Sequence, residues 1–346
     1  MQQLAFIDAF LQGFNTQQPF AFYRLPGEKS LGAIFQKNDL LHPIDTGIEQ
    51  GFCMAPFELD KANFIIAQDL TKAYDYHTST PKEGIGFQAI SSLDKQVYTS
   101  LIGKAQKQIT EGEFQKVVLS RQITGGYPQH EIPHVFHRML LAYPTAFVYA
   151  CYHPKVGFWM GASPEIFVKQ SGSVLETMAL AGTRRTTNKT QAWGDKEIQE
   201  QAYVEDHIEE QLSTVVPQNS IHKAQRSTVT AGPVQHLCTR FRVDVDQEPL
   251  ATFIDVLHPT PAVCGFPTDS ARSFILSNEP QTRSFYTGYV GLKSAQQTSL
   301  YVNLRCASYH QGKLRCYVGG GITLQSNPQA EWEETEQKAL TFLKVL

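Results

Sequence analysis

Apolar positions along this chain repeat at two periods, and the switches between those periods mark its elements. The spacing of Leu4, Phe6, Ile7, Phe10 and Leu11 predicts an amphipathic first helix over 1–14. Short apolar runs at Phe20 to Tyr23, Ala33 to Phe35 and Phe64 to Ala67 follow, separated by turns. They predict a strand-rich segment that closes in the polar stretch from Thr78 to Gly84. Helical spacing takes over from about 93 to 111. A strand is then predicted over 115–123, a helix over 133–142 and two or three strands over 146–168. Residues 176–184 read as a strand ending in a glycine turn at Gly182. Further helices are predicted over 194–212 and 247–257, and strands over 284–292, 299–309 and 313–318. A last helix opens at Asn327-Pro328, a good cap and first-turn pair.

Strands grouped in hairpins, with helices between the groups, predict an α+β fold: large, mainly antiparallel sheets packed together with helices on the outside. No G-x-G-x-x-G leads into a helix, which argues against a doubly wound dinucleotide-binding fold. Residues 1–85 read as a sheet and helix portion integral to the same fold. The segment 86–346 carries the motifs with chemical potential.

Composition narrows the partner. A chain of 346 residues that is 42% hydrophobic can bury a large core. A net charge of −3 sets up no field to gather nucleic acid or an anionic membrane, so a small molecule is expected. No apolar run reaches the roughly 20 residues of a membrane span, and the first residues lack the features of a secretion leader. Six cysteines at 53, 151, 238, 264, 306 and 316 show no C-x-x-C spacing and read as reduced, buried thiols in a cytoplasm.

Several constellations have chemical potential. Glu331, Glu334 and Lys338 stand at i, i+3 and i+7 and share one helix face; alone, such a triad is more commonly a solvated face. Gly319, Gly320 and Gly321 just before them read as a loop whose amides can approach an anion. Glu197 and Glu200 repeat the i, i+3 spacing on another helix. If the two helices face each other, four carboxylates converge, and they require a cation. Oxygen-only ligands favour Mg²⁺, which takes one or two protein carboxylates and leaves room for an acidic substrate. Lys116, on a strand among apolar neighbours, can lose affinity for its proton through desolvation and so serve as a base. Glu165, after a Gly-Ala-Ser-Pro turn, is a candidate acid. Gly182 and Thr183 are placed to hold a carboxylate, and His258 sits in a proline-stiffened loop suited to positioning a donor. Arg305, in an apolar strand, requires a carboxylate partner from protein or ligand.

Together these segments resemble the chorismate-utilising enzymes, and among them the isochorismate synthases. The resemblance rests on Lys-Val-Val-Leu-Ser-Arg from 116, Ser-Pro-Glu from 163, Ala-Leu-Ala-Gly-Thr from 179 and Lys-Glu-x-x-Glu from 196. It continues with His-Pro-Thr-Pro-Ala-Val from 258, Phe-Tyr-x-Gly from 285, Leu-Arg-Cys-Ala from 304, and the glycine triplet with Glu-Trp-x-Glu-Thr-x-x-Lys from 331. It runs from about residue 90 to the end. Gln201 stands where many of these enzymes have histidine.

What the resemblance implies is chorismate and Mg²⁺ in a deep cleft. Glu200 and Glu334 would coordinate the metal, with Glu197 and Glu331 in its outer shell. Arg305, Lys338, Tyr286 and amides of Gly319 to Gly321 would hold substrate carboxylates, while His258, Gly182 and Thr183 would line the ring. A lysine at the position of Lys116 activates water to attack C2, and a glutamic acid at the position of Glu165 protonates the departing C4 hydroxyl. Aminodeoxychorismate synthases carry lysine where Ala181 stands, and anthranilate synthases lack the lysine of position 116. The combination of Lys116 with Ala181 therefore implies water as nucleophile, an isomerase, and no glutamine amidotransferase subunit. A monomer is expected, feeding menaquinone or a siderophore. Salicylate synthases share both features and go on to eliminate pyruvate. A binding or regulatory relative without turnover is the non-catalytic alternative.

Overall fold

The computed structural model describes residues 4–45, 47–59, 63–77, 79–92, 95–186, 192–231 and 234–346. Among them, every paired strand is antiparallel, and the strands form two sheets of ten and nine. The first sheet holds the strands Lys116–Gly126, Lys313–Ile322, Cys306–His310, Gly157–Ser163 and Phe147–His153 in neighbouring order, extended by Phe20–Arg24, Leu31–Phe35 and Leu70–Tyr74. The second holds Val234–Asp244, Val174–Arg185, Ile166–Ser171, Gln297–Val302 and Tyr289–Lys293, extended by Gly51–Ala55 and Phe64–Ala67. Strands from before residue 85 thus complete both sheets.

The sheets pack face to face, because the alternation of each strand gives one apolar side to the partner sheet. Phe147 of the first stacks on Tyr301 of the second with ring centroids 4.4 Å apart. Helices cover the outer faces. Ala5–Thr16 and Ile132–Ala142 pack on the first sheet through Phe6, Phe10, Val135 and Phe136, and Asp195–Ser213 packs on the second through Val204, Ile208 and Leu212. This is the α+β layering predicted from the hairpin grouping.

Three local predictions need correction. Gly319 to Gly321 are not a loop but lie in the strand Lys313–Ile322, paired with Ser120, Leu119 and Val118. Gly182 does not end its strand: it forms a bulge at φ +62°, where the register with Val234–Asp244 shifts between Ala181 and Thr183. The predicted strand 299–309 is broken at Asn303 to Arg305, where the chain leaves one sheet for the other and Arg305 takes φ +47°. The strands Ser227–Ala231 and Val234–Asp244 and the helix Thr268–Asn278 lie in sequence that gave no prediction.

Candidate active site

Two sheet-to-sheet crossovers run side by side and build one end of a cleft. The first, at Pro164 and Glu165, joins Gly157–Ser163 to Ile166–Ser171; the second, at Asn303 to Arg305, joins Gln297–Val302 to Cys306–His310. They are tied together by Ser163 Oγ donating to the Val302 carbonyl at 2.6 Å, Val302 N–H to the Glu165 carbonyl at 3.1 Å and Ala162 N–H to the Arg305 carbonyl at 3.2 Å. Both side chains, Glu165 and Arg305, line the cleft.

The same cleft is lined by Lys116, Gly182, Thr183, Glu200, Tyr286, Gly319, Gly321, Glu334 and Lys338. Alternation along Lys116–Gly126 puts Lys116 and Val118 on this side and Val117 and Leu119 in the apolar cluster behind. Gly319 and Gly321 face the cleft by the same rule, and each leaves space that a side chain would fill. A Cβ at 319 would stand 2.9 Å from the Tyr286 hydroxyl, and one at 321 would stand 3.2 Å from both Lys116 Cε and Glu200 Oε2. Gly320 faces the opposite way, toward Glu331, Tyr98 and Thr335, and does not line the cleft.

Glu334 and Lys338 come from the helix Pro328–Leu343, which starts where Asn327 accepts a hydrogen bond from Ala330 N–H at 3.1 Å. The buried Arg121 anchors this helix: its Nε donates to Thr335 Oγ1 at 2.9 Å and its guanidinium stacks on Trp332 at 4.1 Å. Lys338 pairs with Glu334 at 2.8 Å and donates to the Gly319 carbonyl at 3.0 Å.

Besides Gly320, the sequence-predicted residues His258, Glu197 and Glu331 lie outside the cleft lining. His258 is not in the cleft; its Nε2 bonds to the Phe57 carbonyl at 3.0 Å and its ring meets Phe167 and Tyr289 edge-on. Glu197 turns back over the start of its own helix, its Oε2 2.6 Å from where a Gly194 Cβ would sit. The four carboxylates therefore do not converge. Glu200 and Glu334 reach the cleft, while Glu331 lies behind the strand, paired with Lys196 at 2.5 Å; Lys196 is also 3.5 Å from Glu200.

His236 is the cleft residue that the sequence reading missed. Arg305 Nη2 donates to its Nε2 at 3.2 Å, which leaves Nδ1–H facing Thr183 Oγ1 at 3.2 Å. Its presence follows from the register that sets Thr183 opposite His236, and that register is fixed only once the bulge at Gly182 is known.

Burial dominates the electrostatics. It lowers the Lys116 pKa, against the opposing pull of Glu200, and lifts Glu165 to about 8 despite the charges of Lys116 and Arg305. Glu200 is raised for the same reason. Burial also holds His236 at about 3, a neutral imidazole, and brings Arg305 down to about 10. In Glu334, burial is outweighed by Lys338 and Lys196, and its pKa falls. The result is a buried amine that holds its proton less tightly than an ordinary lysine and a buried carboxylic acid that keeps its proton up to about pH 8, among cations suited to carboxylates.

Among the described residues, no three His, Cys, Asp or Glu side chains are grouped to hold a metal by themselves. A hard cation nonetheless fits the donors that reach the cleft: Glu200 and Glu334 bring carboxylate oxygens from two helices, and their like charges oppose each other there.

The cleft thus gathers a buried lysine, buried carboxyl groups and further cationic side chains, a lining with the chemistry to hold a small anion and move protons on it. Residues 59–344 match the chorismate binding enzyme family, and the chain belongs to it. It is 32% identical over 263 residues to the isochorismate synthase MenF of Escherichia coli (strain K12), a match covering 71% of this chain and 59% of MenF. Against the isochorismate synthase DhbC of Bacillus subtilis (strain 168) it is 27% identical over 318 residues, 84% of this chain and 79% of DhbC. The solved structure of MenF, described as the menaquinone-specific isochorismate synthase, has the same fold: TM-score 0.81 at 22% identity, over 95% of this chain and 88% of that one. No helix among the described residues is long and apolar enough to cross a membrane.

Proposed function

We propose that this chain is a Mg²⁺-dependent isochorismate synthase, an isomerase that adds water at C2 of chorismate as the C4 hydroxyl leaves. The observation that carries the reading is the placement of Lys116 and Glu165 in one cleft with pKa values displaced toward each other, beside Ala181. The neutral Lys116 amine takes a proton from the attacking water, and the Glu165 carboxylic acid gives one to the departing hydroxyl; return of a proton from the Lys116 ammonium to the Glu165 carboxylate, directly or through water, resets the site for the next turnover. Ala181 leaves no lysine to act as nucleophile in its place.

Arg305, Tyr286 and Lys338 hold substrate carboxylates, and His236 orients Arg305 through its Nε2. Glu200 and Glu334 would hold Mg²⁺, with Glu331 behind them; Glu197, folded over Gly194, is left out of that set. When bound, Mg²⁺ supplies positive charge that neutralises the ring carboxylate beside these glutamates. With water as nucleophile, the chain works in the cytoplasm as a monomer without an ammonia-supplying subunit, upstream of menaquinone or a siderophore.

The test is incubation of the purified protein with chorismate and Mg²⁺, followed by NMR with a separate pyruvate assay. Isochorismate without pyruvate is expected. Salicylate with pyruvate would move the protein to the lyase branch, and binding without turnover would make it a non-catalytic relative.

A further inference from the structure

The strand Lys116–Gly126 carries the proposed base at its first residue, yet one of its edges has a gap in pairing. On that edge, Gly265–Phe266 pairs only as far as Val117, with Val118 N–H reaching the Cys264 carbonyl at 2.8 Å. The next strand on the edge, Ala89–Ser92, pairs from Ile123 onward. Between them, two side chains take the place of a strand. Arg283 Nη2 donates to the Val118 carbonyl at 2.6 Å, and Glu279 accepts from Ser120 N–H at 2.7 Å and from Ser120 Oγ at 2.9 Å.

Arg283 and Glu279 are themselves paired at 2.6 and 2.9 Å, and both are buried, with side-chain exposures of 3% and 4%. The guanidinium also donates to the Val263 carbonyl at 2.8 Å and to Thr287 Oγ1 at 3.3 Å, and it lies 4.6 Å over the Phe57 ring. All five of its N–H groups are thereby engaged. Its three acceptors outside the ion pair, Val118, Val263 and Thr287, belong to three separate chain segments that each line the cleft. Thr287 is a β-branched residue at φ +63°, a conformation that neighbouring structure must hold in place. The residue before it is Tyr286, whose N–H bonds to the Arg283 carbonyl at 3.0 Å and whose hydroxyl sits against Gly319.

We infer that the Arg283–Glu279 pair is a positioning device for the reaction: it fixes the Lys116 strand and the Tyr286 turn relative to each other without touching substrate. A surface ion pair could not do this, since only a buried, bidentate fork fixes both distance and direction. The inference rests on the isochorismate synthase reading for its kinetic arm alone.

The test uses Arg283→Lys, which keeps the charge and loses the fork, with Glu279→Gln as the second variant should the first fail to fold. Both are compared with wild type by thermal melting, by kcat and KM for chorismate, and by amide hydrogen exchange of residues 116–120. The expected result is a folded variant whose kcat falls at least about tenfold, as misplaced reacting groups demand, with faster exchange at Ser120. Its KM should rise by less than kcat falls, because Arg305 and Lys338 still hold carboxylates and only the Tyr286 contact is loosened. A wild-type kcat, or a matching fall in the folded fraction that explains the lost rate, overturns the inference. If the wild-type protein itself makes no isochorismate, the reaction reading fails, and exchange at Ser120 still decides: an unchanged rate removes the pair from its positioning role.

Discussion

Lys116 and Glu200, from different elements, both border the space that Gly321 leaves by lacking a side chain. A Cβ there would stand 3.2 Å from both Lys116 Cε and Glu200 Oε2. Gly321→Ala should therefore push the proposed base away from the proposed metal ligand. We expect kcat to fall about tenfold while overpacking costs about 1–3 kcal/mol of stability, measured by steady-state kinetics and denaturant unfolding. Normal turnover in the folded variant would show that the spacing is unimportant.

Lys116→Ala removes the group that activates water and leaves the carboxylate-binding residues in place. The expected loss in kcat is about 10²–10⁴-fold, with chorismate affinity close to wild type by direct titration. Near-normal turnover would take Lys116 out of its assigned role.

The pH profile follows from the two displaced groups. Turnover needs Lys116 neutral and Glu165 protonated, so kcat/KM falls toward acid as the amine gains a proton and toward alkali as the acid loses one. With Glu165 at about 8, one of the two bends in a bell-shaped plot lies near pH 8. A profile flat across that region would contradict the acid assignment.

Glu334→Gln removes one charge from the pair proposed to hold the metal. The Mg²⁺ concentration for half-maximal activity should rise about tenfold or more, with a matching loss of metal-induced thermal stabilisation. An unaltered metal response would remove Glu334 from the ligand set.

Away from the cleft, Glu205 makes an acid-sensitive fastening between the Asp195–Ser213 helix and the second sheet. Burial would raise its pKa, but hydrogen bonds from Arg226 at 2.8 and 2.9 Å, Thr239 at 2.6 Å and Gln201 at 2.9 Å reverse that and hold it at about 2. A carboxyl depressed in the folded state adds stability above its unfolded pKa and loses it as pH falls through the folded value. Its contribution should therefore drain away between about pH 5 and pH 2. Glu205→Gln should be less stable at neutral pH and lose less on acidification; equal losses in both proteins would contradict the fastening.

The sheets and most helices were legible because alternation and helical spacing are local properties. The Pro328–Leu343 helix, with its Asn327 cap, is one case, and the strand that begins at Lys116 is another. What the sequence hid was register. Gly182 read as a turn because a bulge and a strand end use glycine alike, and His236 stayed invisible until the shifted pairing put it opposite Thr183. Arg305 read as mid-strand because a sheet crossover leaves the apolar alternation on either side of it intact. His258 and Glu197 misled for the opposite reason: both occur in motifs that carry the family resemblance, yet a motif residue can serve the loop or helix that bears it. His258 bonds its own neighbourhood at Phe57, and Glu197 folds over Gly194.

The most direct test of the chemistry is the oxygen source. Chorismate converted in H₂¹⁸O and sampled at early times should give isochorismate carrying one ¹⁸O at C2 and unlabelled residual chorismate. Isochorismate without label at C2 would contradict water addition assisted by Lys116, whatever the product's identity.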